Sequence, residues 1–198
     1  MLLLGSLGFL GNGAGGGLLL SAPAVLIAGA GLDTTQVGFL VSLGGGLGVA
    51  CIFIAGWNSD RNGDRLRDAL VLTVVIAAAL LLRGAASTPA LAVLGYLLFS
   101  ATFFTAGMLI VSSWADLLPV RQLAVGSAAI NTLWQIGAFL SPYAWGVTKD
   151  ATGSFRAALI GASVVTVVEA LVILYVRTRV MSERRARAAA IEQLAVMS

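Results

Sequence analysis

The 198-residue chain is 59% hydrophobic and 11% charged, with 24 glycines, one cysteine, no histidine and a formal net charge of +3. A soluble globule needs roughly a quarter of its residues charged because its surface faces water, so a water-soluble fold is excluded. A lone cysteine closes no internal disulfide, and the absence of histidine leaves no zinc or haem ligand set; no metal, cofactor, nucleic-acid partner or enzyme chemistry is expected.

Apolar runs bounded by charges or turn residues fall at 2–30, 36–57, 66–84, 90–115, 123–147 and 155–176. Each is long enough to cross bilayer hydrocarbon as a helix, which takes about 20 residues, and none alternates as a barrel strand would. The pattern predicts an all-α membrane protein of six transmembrane helices. The first run has no basic segment before it and is longer than the apolar core of a signal peptide, so it reads as a true span. It sets Gly5, Gly8, Asn12 and Gly15 or Gly16 on one face, which permits close helix packing with Asn12 as the polar contact. Pro23 is expected to kink its end.

In the fourth run Thr102, Thr105, Leu109 and Ser112 share a face. Their hydroxyls either line a cavity or bond back to their own helix. The fifth run places Ser127, Asn131 and Gln135 at i, i+4 and i+8. Amides in hydrocarbon need partners, so this face points at a cavity or at other helices rather than at lipid. Pro142 beside Ser141 should bend the same run and offers a rocking point. Glu169 is the one ionisable residue near the middle of a span, so it must be protonated, paired or turned to a wet interior. It is a candidate for proton coupling, or else a packing or oligomer contact.

After Val176 the chain becomes basic, and the organisation reads as a transmembrane domain over 1–178 and a basic tail over 179–198. Arg177, Arg179, Arg184, Arg185 and Arg187 would lie against anionic headgroups, and Ile191, Leu194 and Met197 recur at helical spacing. Six spans put both termini on one side. Nine of the twelve basic residues fall there, and Arg83, Lys149 and Arg156 fall on the other. By the positive-inside rule both termini are expected in the cytoplasm, with the chain in the inner (plasma) membrane.

The phrase Gly56-Trp57-Asn58-Ser59-Asp60-Arg61-Asn62-Gly63 after the second run is echoed by Gly146-Val147-Thr148-Lys149-Asp150-Ala151-Thr152-Gly153 after the fifth. Glycine, aspartate and glycine recur at a common offset of 90 residues, on opposite membrane faces. That is the plan of two inverted three-helix repeats.

The stretch from Gly56 to Arg65 also resembles the loop signature of the major facilitator superfamily, a glycine and then Asp-Arg-x-Gly with further basic residues between two helices. Physically, Gly56 would let helix ends approach, Gly63 would allow a tight turn, and Asp60 would accept hydrogen bonds at a neighbouring helix start. Arg61 and Arg65 would hold the segment at the headgroups. A second stretch, Gly126-Ser127-Ala128-Ala129-Ile130-Asn131 with Gly137 to Tyr143 and then Asp150 to Phe155, looks like the eleventh helix and following loop of the anion:cation symporter branch.

The resemblance implies half of a major facilitator fold, helices seven to twelve of a twelve-helix transporter. It further implies uptake of a small organic anion with protons or sodium, and contacts to substrate from Asn12, Ser112, Asn131 and Gln135. A second six-helix half, or pairing with itself, would complete the cavity. The chain departs from the branch in having Gly11, Gly13, Gly15, Gly16 and Gly17 where aromatic residues are frequent, and Gln135 where a second asparagine is frequent. Two other readings remain open: a truncated fragment that does not transport, and a membrane scaffold whose glycine-rich faces bind partner helices.

Overall fold

A computed structural model describes residues 2–197, apart from the side chains of Leu2, Ala115, Asp116 and most positions after Glu183. Six helices follow in order: α1 (Leu2–Ala30), α2 (Thr34–Asn62), α3 (Arg65–Ala85), α4 (Pro89–Leu117), α5 (Leu123–Thr152) and α6 (Arg156–Met197). All six are long and apolar enough to cross a membrane, and no strand occurs among the described residues.

Each helix lies where an apolar run predicts it, and most extend further because polar caps carry them past the hydrocarbon. Asp33 caps α2 reciprocally with Gln36: its carboxylate accepts from the Gln36 N–H at 2.9 Å, and the Gln36 side chain accepts from the Asp33 N–H at 3.1 Å. Asp64 and Thr88 cap α3 and α4 without the reciprocal bond, their side chains accepting from the Arg67 and Leu91 N–H groups. The Gly56–Arg65 phrase is correspondingly less of a loop than the sequence suggests. With no breaker before Gly63, α2 continues to Asn62, so Gly56, Asp60 and Arg61 are helical.

Gly63 ends α2 at φ 66°, a left-handed conformation, and its N–H donates to the Ser59 carbonyl at 2.9 Å. Gly153 ends α5 at φ 72°, with its N–H on the Lys149 carbonyl at 2.7 Å. The repeat seen in the sequence is thus a repeat of helix-ending geometry. The expected boundary at 178 falls inside α6, which continues to Met197. The side chains of Arg184, Arg185, Arg187, Ile191, Leu194 and Met197, expected at the headgroups, lie outside the described residues.

Packing obeys the inverted repeat. α1 lies against α5 as α4 lies against α2, and α6 packs on α1 as α3 packs on α4. The pairs α1–α4 and α3–α6 are each self-related by the exchange. Lipid tails are as apolar as leucine, so helices in a bilayer associate through close fit, and small residues promote it. On α1 a Cβ at Gly5 or Gly8 would overlap Leu133 or Trp134 of α5, and one at Gly15 would overlap Phe103 of α4. At Gly17 it would overlap Trp145. Gly15 and Gly17 of the glycine-rich stretch thus receive aromatic rings from neighbouring helices, while Gly11 faces Glu169 and Gly16 faces Ser141.

α2 and α5 are the least covered helices. Phe53, Ile54 and Trp57 on α2 and Phe139 and Tyr143 on α5 are exposed.

Candidate functional site

The sequence-predicted site residues fall into three places. The first is a cavity of about 230 Å³ inside the bundle, walled by α1, α3, α4, α5 and α6. Phe103 and Phe104 meet edge to face at 5.5 Å on one wall, and Trp134 stands on another. Asn12 lines the cavity and donates from Nδ2 to the Trp134 carbonyl at 3.3 Å, so part of its capacity is spent joining α1 to α5.

Glu169 enters the cavity from α6 and is 6% exposed. Gly11 makes room for it: a Cβ there would lie 2.6 Å from its Oε1. Among the described residues no hydrogen bond or ion pair reaches the carboxyl group, and no other ionisable side chain lines the cavity. Thr73 and Thr166 stand beside it but donate to Ala69 and Ala162 of their own helices. Of the environments the sequence leaves open for Glu169, the structure gives a cavity rather than an ion pair. Exposed Phe104, Met108 and Val111 mark where this space opens.

The second place is the outer face of α5. Asn131 and Gln135 are exposed, with Phe139 and Tyr143 continuing the stripe at the next i+4 positions. Among the described residues neither amide side chain has a hydrogen-bond partner.

The third place is the α2–α3 junction. Asp60 pairs with Arg65 at 3.6 Å, and Arg65 also donates to the Ser112 carbonyl at 3.2 Å. Within this chain the N–H groups at the start of α3 are met by Asp64, the residue that stands there. Its Oδ1 accepts from the Arg67 N–H at 3.0 Å, and its Oδ2 accepts from Nε and Nη2 of Arg177 at 2.9 and 2.8 Å. Burial raises the Asp64 carboxyl, but hydrogen bonds from Arg177 and Arg67 and their charges outweigh it and hold the group below its ordinary range. A Cβ at Gly56 would meet nothing within 4 Å, so no close approach inside this chain uses that glycine. Arg61 lies 5.9 Å from the Trp57 ring.

Ser112 does not join Asn12. Its hydroxyl donates to the Leu109 carbonyl at 2.9 Å, and it lines a neighbouring cavity with Gly56, Asp60 and Arg65.

One polar element was only half legible. Ser141, beside Pro142, accepts from the Gly17 N–H at 2.7 Å and donates to the Gly13 carbonyl at 2.7 Å. Those two α1 groups are partners in an unbroken helix, so the hydroxyl of α5 inserts into the backbone ladder of α1. The Ser-Pro pair was the available signal; its partner, more than a hundred residues away, had none.

Residues 1–142 match the Major Facilitator Superfamily, and the chain belongs to that family of membrane transporters rather than to an enzyme family. It is 32% identical over 161 residues to a quinolone resistance transporter of Acinetobacter baumannii, covering 75% of this chain and 34% of that protein. It is 28% identical over 144 residues to a putative tartrate transporter of Agrobacterium vitis, covering 73% and 33%. A second putative tartrate transporter of Agrobacterium vitis matches at 26% over 129 residues, covering 65% and 29%. The chain thus spans about a third of the length of these relatives.

Proposed function

We propose that the chain works as the carboxy-terminal half of an inner-membrane, cation-coupled importer of small organic anions, of the anion:cation symporter type, with both termini in the cytoplasm. The observation that carries this reading is the pair of outward amides, Asn131 and Gln135, exposed on α5 and unbonded among the described residues. Amides facing lipid would cost several kcal/mol each in lost hydrogen bonds, so this face meets water or a second six-helix body across a polar cavity. The likeness to two putative tartrate transporters supports an organic acid as the solute. The nine-to-three division of basic residues supports the orientation.

In the proposed cycle the two bodies rock about the solute. The α1–α5 contact, with Ser141 in the Gly13–Gly17 ladder, is the flexing element inside this half. The Asp60–Arg65–Ser112 cluster latches the cytoplasmic end. Asn12 and Glu169 act from the inner cavity, with Glu169 carrying the coupled proton, while Ser112 acts from the latch. A second reading, transport of aromatic amphiphiles, is favoured by the rings of Phe103, Phe104 and Trp134 and by the likeness to the quinolone resistance transporter.

The test is uptake of labelled tartrate, and of a fluoroquinolone, into vesicles containing the chain alone or with a complementary six-helix half. Removing each amide, Asn131→Ala and Gln135→Ala, should lower tartrate uptake roughly tenfold, as expected for a lost hydrogen bond to a charged solute. Unchanged uptake in the double variant refutes the amide role. Glu169→Gln should abolish dependence on a pH gradient while leaving solute exchange intact, and retained proton dependence excludes it as the coupling site. Fluoroquinolone movement without tartrate movement selects the second reading.

A further inference from the structure

We infer that the end of the bundle opposite the termini holds a binding pocket for a phosphate group, built from Arg83, Lys149 and Arg156. Twelve basic residues occur in the chain, and only these three belong to that end. They come from the last turn of α3, the last turn of α5 and the start of α6, yet all three line one cavity of about 310 Å³. No carboxylate is among the residues lining it.

Arg83 forms the floor. It is 6% exposed, and its Nη2 donates to the Val25 carbonyl at 2.6 Å, which fixes the plane of the guanidinium. Its Nε is buried with no hydrogen-bond partner among the described residues. Gly29 of α1 leaves the space the group occupies, since a Cβ there would overlap the guanidinium nitrogens. Lys149 and Arg156 are both exposed and form the rim. The Lys149 ammonium is 4.9 Å from the Phe155 ring, which holds its stem over the opening. The Arg156 N–H donates to the Ser154 hydroxyl at 3.2 Å, ordering the short α5–α6 connection between the two cations.

A guanidinium taken out of water without a counter-charge is destabilised, and two more cations at the same opening add repulsion. An oxyanion removes both penalties. Guanidinium matches a phosphate through paired donors, and an ammonium and a second guanidinium at the rim supply point charge at the height of the headgroups. The phosphate can come from an anionic lipid headgroup or from a free solute, and the chemistry of recognition is the same. This pocket stands apart from the amide face and does not depend on the transport reading.

The experiment uses the purified, delipidated chain. Its retention of phosphatidylglycerol and of diacylglycerol, which lacks the phosphate, is read by native mass spectrometry, and its thermal unfolding is followed with and without inorganic phosphate. Wild type should retain phosphatidylglycerol and not diacylglycerol, and Lys149→Gln with Arg156→Gln should weaken that retention roughly 30-fold, the worth of two basic groups at a headgroup layer. Both positions are exposed, so the fold survives the change. A control pair at the other end, Arg121→Gln with Arg179→Gln, should leave the difference between the two lipids in place. Phosphate-dependent stabilisation lost in the rim variant, with lipid retention unchanged, assigns the pocket to a free anion. Equal losses from both variant pairs, or no loss from the rim pair in either assay, overturns the proposal.

Discussion

After α2 the chain turns at Gly63 and after α5 it turns at Gly153, and the two glycines share left-handed geometry and a hydrogen bond to the carbonyl four residues back. The surroundings of the two turns differ. At the first, Asp60 pairs with Arg65, and Asp64 caps α3 while holding Arg177 of α6. At the second, Lys149, Arg156 and the nearby Arg83 share a cavity that no carboxylate lines. The repeat therefore fixes where helices stop, and the side chains around each stop are free to specialise: one end is cross-braced by ion pairs and at the other three cations gather at one cavity.

The largest expected effect comes from cutting the brace. Asp64→Ala removes a helix cap and a two-pronged bond to Arg177 and leaves the arginine, only 29% exposed, without its partner. Unfolding in detergent should show a loss of about 3 kcal/mol, the sum of a cap and a charge-assisted hydrogen bond. In a double-mutant cycle with Arg177→Ala, a coupling near zero would show that the pair is a surface accident.

Next come the glycines themselves. Gly63→Ala and Gly153→Ala force a side chain into the left-handed region and should each destabilise by about 1 kcal/mol, equally at the two ends. A much larger effect at one end, measured by the same unfolding assay, would mean that the backbone repeat is not equivalent.

At the opposite end the sign should change. Arg83→Met replaces a buried cation that has no ion-pair partner among the described residues by an apolar side chain of similar length. In detergent free of anionic lipid this should be neutral or stabilising by up to about 1 kcal/mol, despite the lost bond to the Val25 carbonyl. A loss of more than about 2 kcal/mol would show that the guanidinium is satisfied within the chain.

These contrasts also mark what the sequence could tell. Six spans were legible because hydrocarbon thickness demands long apolar runs, and both turns were legible because glycine and aspartate repeat at a fixed offset. Capping by Asp33 and Thr88 starts α2 two residues and α4 one residue ahead of the apolar run, which hydropathy does not register. Long-range partners were not legible: Asp64 and Arg177 are 113 positions apart, and Ser141 reaches α1 across 124. Arg83 read as one of three scattered basic residues until the packing of α1 and α3 enclosed it. Glu169 and the α5 amides stood out beforehand, because a polar group within a span is conspicuous in any membrane sequence, but only packing separates the enclosed carboxyl group from the outward amides.

The smallest effect tests whether charge, rather than shape, makes the brace. The Asp64 carboxyl is held below its ordinary range in the folded chain, so the folded state prefers the ionised form more strongly than the unfolded chain does. Its contribution is complete above the unfolded carboxyl value of about 4 and fades as pH falls through the lower folded value. Stability of wild type measured downward from neutral pH should therefore decline in that acidic window, and the decline should be shallower in Asp64→Asn, which keeps the size of the cap but never ionises. The second turn has no ion-paired carboxylate among the described residues, so no comparable acidic step is expected there. If Asp64→Asn follows the wild-type profile, the carboxylate acts only as a cap, and the difference between the two ends reduces to the number of positive charges each one carries.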